Sequence, residues 1–226
     1  MRQGFQKITQ IVKKAFERLP LLYAAAYFLF YFPTFLLLEK YVRPEYYIHC
    51  WLDDVIPFCE YFVIPYMLWF LFVPGLLFFF SLRSREDYWK CFKIVFGGMT
   101  ICLALYWLFP NGLLLRGNVD NNNIFCAIVN FLRKNDTTTN VCPSIHVSST
   151  VGIVLVLFRS EKLRAYKKLK AFSLVLGILI CLSTMFLDQH SLVDVLCGIV
   201  LSTVLCGLIE QTEEEMPLVR QEEYLN

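Results

Sequence analysis

The sequence predicts an all-α, polytopic membrane protein, a six-transmembrane helical bundle with a candidate site at the outer membrane–water interface. Three observations lead there. First, 57% of the 226 residues are hydrophobic and only 18% are charged, with a mean hydropathy of +0.53; a soluble domain carries about 25% charge. Second, the apolar excess is gathered into blocks of about 17 to 22 residues, long enough to cross a hydrocarbon core of about 30 Å. Third, Lys and Arg are divided unevenly between the segments that join those blocks. The net charge of +2 gives no basic field, and nucleic acid is not expected as a partner.

Residues 1–20 read as a basic amphipathic helix lying in the membrane interface. Phe5, Ile8, Ile11, Val12, Ala15, Phe16 and Leu19 recur at helical spacing between Lys7, Lys13, Lys14 and Arg18. No short apolar core with a small-residue cleavage site marks a signal peptide. Residues 21–209 form the membrane domain. Span one is about Leu21–Leu38 and span two about Ile56–Phe80, where Pro57, Pro65 and Pro74 predict kinks. Span three is about Phe92–Phe109. A polar stretch, Pro110–Cys142, follows. Span four, about Pro143–Phe158, is short. Spans five (about Ala171–Leu187) and six (about Ser191–Ile209) are separated only by Asp188-Gln189-His190. Residues 210–226 are an acidic tail, expected to be cytoplasmic and mobile.

Six spans put both termini on one side. Of the 21 Lys and Arg, 16 fall in the N-terminus, the 81–93 and 159–170 loops and the tail. The positive-inside rule therefore makes both termini cytoplasmic. The 110–142 stretch, Pro143-Ser144-Ile145-His146 and the 188–190 turn then share the outer face, and the plasma membrane is the expected location. Of the nine cysteines, Cys91, Cys102, Cys181, Cys197 and Cys206 lie in or beside apolar blocks as small hydrophobes. A disulfide among Cys50, Cys59, Cys126 and Cys142 stays open. No spacing suggests a metal site, and no cofactor is expected.

Two of the three histidines stand at span ends. His190 and Asp194 are four apart, which on a helix places them on one face. A carboxylate on one ring nitrogen fixes the tautomer and raises the basicity of the other, as in a nucleophile–orienter pair. Ser144 and His146 follow Pro143 at a helix start, where free N–H groups bind anions and His146 can protonate a leaving group. An ordinary helix cap explains Ser144 equally well. Arg116 carries the side chain best matched to phosphate oxygens; a snorkelling interfacial arginine is the alternative. Together these residues are an inventory for metal-free phosphoryl transfer.

The same residues resemble the type-2 phosphatidic acid phosphatase superfamily, the lipid phosphate phosphatases, whose pattern is K-x6-R-P, then P-S-G-H, then S-R-x5-H-x3-D. The second part reads Pro143-Ser144-Ile145-His146. The third reads Ser183-Thr184, five residues, His190, three residues, Asp194. The first survives as Arg116-Gly117. The resemblance implies a phosphorylated lipid substrate drawn from the bilayer and a phospho-histidine intermediate on His190. It implies Asp194 as orienter, His146 as proton donor, and Arg116, Ser144 and Ser183 as holders of the phosphoryl oxygens. The departures are Phe109 for the Lys, Gly117 for the Pro, Ile145 for the Gly and Thr184 for the Arg. With two cations gone, a phosphodiester is an alternative to a phosphomonoester, as in the sphingomyelin synthase and inositol phosphorylceramide synthase branch. Arg133, Lys134 or Lys40 are candidate replacements. A lipid phosphatase is the leading expectation, a headgroup phosphotransferase or phosphodiesterase the second, and a catalytically silent lipid-binding protein the third. The oligomeric state is open.

Overall fold

The computed structural model describes residues 20–120 and 122–223, and the protein is helical throughout. The helices are α1 (Leu21–Tyr41), α2 (Val63–Arg83), α3 (Arg85–Leu108), α4 (Ile124–Asn135), α5 (Ile145–Arg159), α6 (Lys167–Phe186) and α7 (Leu192–Glu223). Among the described residues, five segments are long and apolar enough to cross a membrane: α1, α2 with its leading turn, α3, α6 and the first 21 residues of α7. The sixth predicted span is α5. Its 15 residues reach about 22 Å at about 1.5 Å per residue. The expected amphipathic helix at residues 1–20 lies outside the described residues but for Pro20.

Helix ends follow local chemistry more than hydropathy. Span two was expected from Ile56, yet α2 starts at Val63 after a 3₁₀ turn, Glu60–Phe62. Pro57 therefore lies before the helix, Pro65 sits in its first turn where proline is tolerated, and Pro74 alone is interior. α3 begins at Arg85, earlier than expected, because Ser84 caps it by accepting from the Asp87 N–H at 3.3 Å. Glu86 and Asp87 also suit the positive end of the helix dipole. The 110–142 stretch holds a helix that hydropathy alone did not reveal. α4 is capped by Asn123, which accepts from Cys126 N–H at 2.9 Å, and it ends with Arg133 and Lys134 in its last turn. α7 continues past Ile209 into the acidic segment, as far as Glu223.

α5 is the centre of the bundle, packed against α3, α6 and α7 and touching α2. Fully buried Ile153 and Leu157 join Phe80, Cys91, Phe96, Met99 and Ile180 in the main core. Small residues allow the close crossings. A Cβ on Gly198 would lie 2.9 Å from the Ser144 carbonyl oxygen and 3.2 Å from Ser148 N, so α7 rests directly on the first turn of α5. The basic end of the bundle is pinned by Ser160 Oγ donating to Asp87 at 2.6 Å and by Lys162–Glu86 at 2.8 Å. α1 is the loosest member, and most of its spanning window is exposed. It leans on α3 through Tyr27, whose hydroxyl donates to Phe96 O at 3.1 Å.

Candidate active site

Two backbone devices build the site. The first is the start of α5. Asn111 is 4% exposed. Its Oδ1 accepts from Val141 and Cys142 N–H (2.9 and 2.8 Å), while its Nδ2 donates to Cys142 O at 3.0 Å. Tyr106 donates to Pro143 O at 2.6 Å. The strand Asn111–Gly112 pairs in parallel with Tyr46–Tyr47, so this clamp is itself anchored. The second is the turn between α6 and α7. Asp188 adopts φ 52, the left-handed conformation that commonly ends a helix. The Thr184 carbonyl then accepts from both Gln189 and His190 N–H, at 2.9 and 3.0 Å. The two devices join where Ser144 N–H donates to Asp194 O at 3.1 Å.

His190 precedes α7, so it and Asp194 do not share a helical face. They meet across the first turn. Asp194 Oδ2 accepts from Ser191 N–H at 2.9 Å, the reach-back of a capping box. The same oxygen lies 3.4 Å from His190 Nδ1. Asp194 is fully buried and His190 is 8% exposed. The carboxylate is thus fixed by the backbone and is available to orient the imidazole. Asp53 secures this turn from another direction. It accepts from Ser191 Oγ at 2.6 Å, Leu192 N–H at 2.9 Å and Cys50 N–H at 2.8 Å. Burial works against the Asp53 carboxylate, but these donors outweigh it and hold its pKa below the ordinary range. Asp53 is therefore a tie between the first outer loop and α7. Its neighbour Asp54 pairs with exposed His49 at 2.9 Å.

His146 faces His190 with ring centroids 6.0 Å apart. Its imidazole lies between Tyr66 (4.6 Å, stacked) and Trp69 (4.3 Å). Trp69 is held in turn by donation to Ser149 Oγ at 2.9 Å. His146 Nε2 is buried and has no hydrogen-bond partner, which leaves it free for an incoming oxygen. Both histidines line a cavity of about 460 Å³ whose other walls include Tyr31, Phe32 and Phe35 of α1, Phe70 and Val73 of α2, and Arg116. That size and mixed lining suit a ligand pocket.

Arg116 reaches the cavity, and its guanidinium is already engaged. Nη1 donates to Asp136 O at 2.6 Å, Nη2 lies 3.2 Å from Asp136 Oδ2 and also donates to Gln189 Oε1. Ser144 and Ser183 do not join it. Both are fully buried and neither lines the cavity. Ser144 Oγ accepts from Val147 N–H at 3.4 Å as an ordinary cap, and Ser183 Oγ donates to Ile180 O at 2.6 Å. In this structure helix capping engages the Ser144 hydroxyl and back-bonding the Ser183 hydroxyl, which the family resemblance assigns to the phosphoryl oxygens. Thr184, where the motif expects Arg, is likewise buried and donates to Cys181 O at 2.8 Å. Phe109, where it expects Lys, is exposed.

None of the candidate replacement cations lines the cavity. Arg133 is bound to Asp188 at 2.9 Å and to the Leu187 and Gly117 carbonyls, and Lys40 lies over the Tyr41 ring. The composition-based reading passed over Asp136, Gln189, Glu39, Thr137, Thr139 and Asn140, all on the cavity wall. Asn135-Asp136-Thr137, a formal glycosylation sequon, is the only pattern there that singled any of them out.

Residues 119–215 match the family model of the PAP2 superfamily. That range contains His146, His190 and Asp194 and begins just after Arg116. No curated protein and no solved structure matches the chain. The match lies on the segment that carries the facing histidines and the buried Asp194 carboxylate, and over that segment the chain is similar to the PAP2 superfamily, whose members are phosphatase- or phosphotransferase-type lipid enzymes.

Proposed function

We propose that this protein is an integral membrane lipid phosphatase that works through a phospho-histidine on His190. The observation that carries this reading is the facing pair, His190 and His146, across one cavity with Asp194 bonded behind His190. Asp194 holds the proton on Nδ1, leaving the Nε2 lone pair to attack phosphorus. The N–P bond forms as the P–O bond to the lipid alcohol breaks. The departing oxygen takes a proton from His146 and leaves as the free alcohol. Water then attacks the phospho-histidine and gives its proton to His146. The N–P bond breaks, its electron pair returns to His190 Nε2, and inorganic phosphate is released. Arg116 supports the phosphoryl oxygens once substrate displaces part of its contact with Asp136. The aromatic walls of α1 and α2 suit the lipid chain.

One observation favours a second reading. Among the described residues, Arg116 is the only Lys or Arg on the cavity wall, and Asp136 and Glu39 share that wall. This is a poor match to a phosphomonoester dianion and a better one to a phosphodiester, with headgroup transfer to an alcohol or water as the reaction. The Lys and Arg distribution supports cytoplasmic termini and an extracytoplasmic site. Purified protein given phosphatidic acid and other lipid phosphomonoesters should release inorganic phosphate. His190→Ala should lower turnover by about 10³-fold or more, and Asp194→Asn by about 10²–10⁴-fold. Undiminished turnover in His190→Ala would sink the mechanism. Diacylglycerol formed together with a transferred headgroup, and no inorganic phosphate, would select the second reading.

A further inference from the structure

The cavity wall beside Arg116 is lined with acceptors. Arg116 and Asp136 neutralise one another at 3.2 Å. Glu39, at the end of α1, adds a carboxylate that accepts from Thr137 Oγ1 at 2.7 Å and makes no direct ion pair among the described residues, although the Arg116 charge acts on it. Thr137 Oγ1 lies 2.7 Å from Thr139 Oγ1, and Asn140 Nδ2 donates to that same Thr139 oxygen at 3.3 Å. The result is a continuous polar strip, Glu39–Thr137–Thr139–Asn140, along the wall. Its far end carries an independent sign of a missing ligand. Asn140 is 5% exposed, lines the cavity, is held at φ 59, and buries an Oδ1 that accepts from nothing. A buried acceptor without a donor is costly and rare, and Asn140 shares this wall with the Glu39 carboxylate.

We infer that this strip holds the primary ammonium group of a zwitterionic phospholipid headgroup, a phosphodiester of the ethanolamine kind, while the phosphate lies against Arg116 and the histidines. The inference rests on the second, phosphodiester reading of that site and names its substrate class. Charge supports it: a neutral Arg116–Asp136 pair plus Glu39 leaves the wall net negative, complementary to a cation. Hydrogen-bonding capacity narrows the cation. An ammonium brings three N–H donors, matching Glu39, Asn140 Oδ1 and an oxygen of Asp136. A trimethylammonium has no N–H to satisfy Asn140.

The test separates binding from reaction. Full-length protein carrying His190→Ala, which blocks turnover, is mixed with phosphatidylethanolamine, its N-methylated series, phosphatidylcholine and phosphatidylglycerol of identical acyl chains. Retained lipid is counted by native mass spectrometry. Phosphatidylethanolamine should be retained about tenfold over phosphatidylglycerol, with retention falling at each N-methylation. Glu39→Gln keeps an acceptor for Thr137 and removes the charge, and it should bring the preference within about twofold. Equal retention of phosphatidylglycerol, or a preference untouched by Glu39→Gln, overturns the inference. So does phosphatidylcholine bound as well as phosphatidylethanolamine. The methylation series needs no substitution in the strip, so a Glu39 variant that fails to fold does not remove the test. Phosphoester cleavage is read separately with His190 intact. Its absence would sink the reaction while the binding result stood, and cleavage without amine preference would sink this inference alone.

Discussion

Arg116 and Asp136 show how much one side chain can set. Burial raises the Asp136 carboxyl above the ordinary aspartate range, against the lowering pull of Arg116 and His190. A raised carboxyl takes up its proton sooner as pH falls than an ordinary aspartate does, and the ion pair with Arg116 weakens as it does so. Until then Arg116 is shared between Asp136 and any phosphate. Asp136→Asn keeps an acceptor but frees the guanidinium charge. It should lower KM for a lipid phosphomonoester at neutral pH by roughly three- to tenfold, since charge-assisted contacts are about twice as strong as neutral ones. A KM-against-pH series is the check: wild type should approach the variant as pH falls, and an unchanged KM would mean that Arg116 does not hold the substrate. At this scale the sequence was informative for His146, His190, Asp194 and Arg116, because each belongs to a spaced pattern. It said little about Glu39 or Asn140, which belong to none, and it did not reveal that backbone groups engage the Ser144 and Ser183 hydroxyls. A hydroxyl's role depends on whether a nearby backbone group claims it first.

The elements matter chiefly through their ends. α7 begins with Ser191 as cap, Asp194 reaching back and Asp53 arriving from a loop far away in sequence. The Ser-x-x-Asp spacing of a capping box was present in the chain, but a helix was expected to include His190. Asp53 gives this turn a measurable pH signature. Its folded pKa lies below the unfolded value of about 3.9. Its stabilising contribution is therefore complete above about pH 4 and drains away as pH falls through the lowered value. A plot of Tm against pH should fall on the acid side for wild type, and Asp53→Asn should start lower and show a flatter acid limb. An unaltered limb would assign the acid loss to other carboxylates. α4 escaped the hydropathy reading for a related reason. It is amphipathic and short, covers Val63, Tyr66 and Leu187 with Val129, and crosses nothing.

For the whole molecule, the basic residues imply an orientation and the helices imply a way in. The cavity is walled by α1 and α2, and α1 is the least buried of the spanning helices. A lipid can thus approach from the bilayer side between them, with its phosphate meeting the histidines at the polar end. Epitopes inserted near Lys162 and at the C-terminus should be read on the cytoplasmic side, and one inserted near Asn118 on the opposite side. Protease access in sealed vesicles would decide it, and a Lys162 epitope sharing a side with Asn118 would reverse the proposed topology.

The sequence by itself determined the helical membrane class, the approximate spans, and the histidine–aspartate spacing that carries the PAP2 resemblance. All of these are written in hydropathy and local intervals, which survive without knowledge of packing. Tertiary structure alone decided what surrounds the chemistry. Asn111 clamps the start of α5, Gly198 lets α7 settle onto it, and Asp136 and Gln189 engage Arg116. Glu39 comes from the first helix to face a loop about a hundred residues away. These are long-range pairings, and their partners are set by how the helices pack, so no local pattern could announce them.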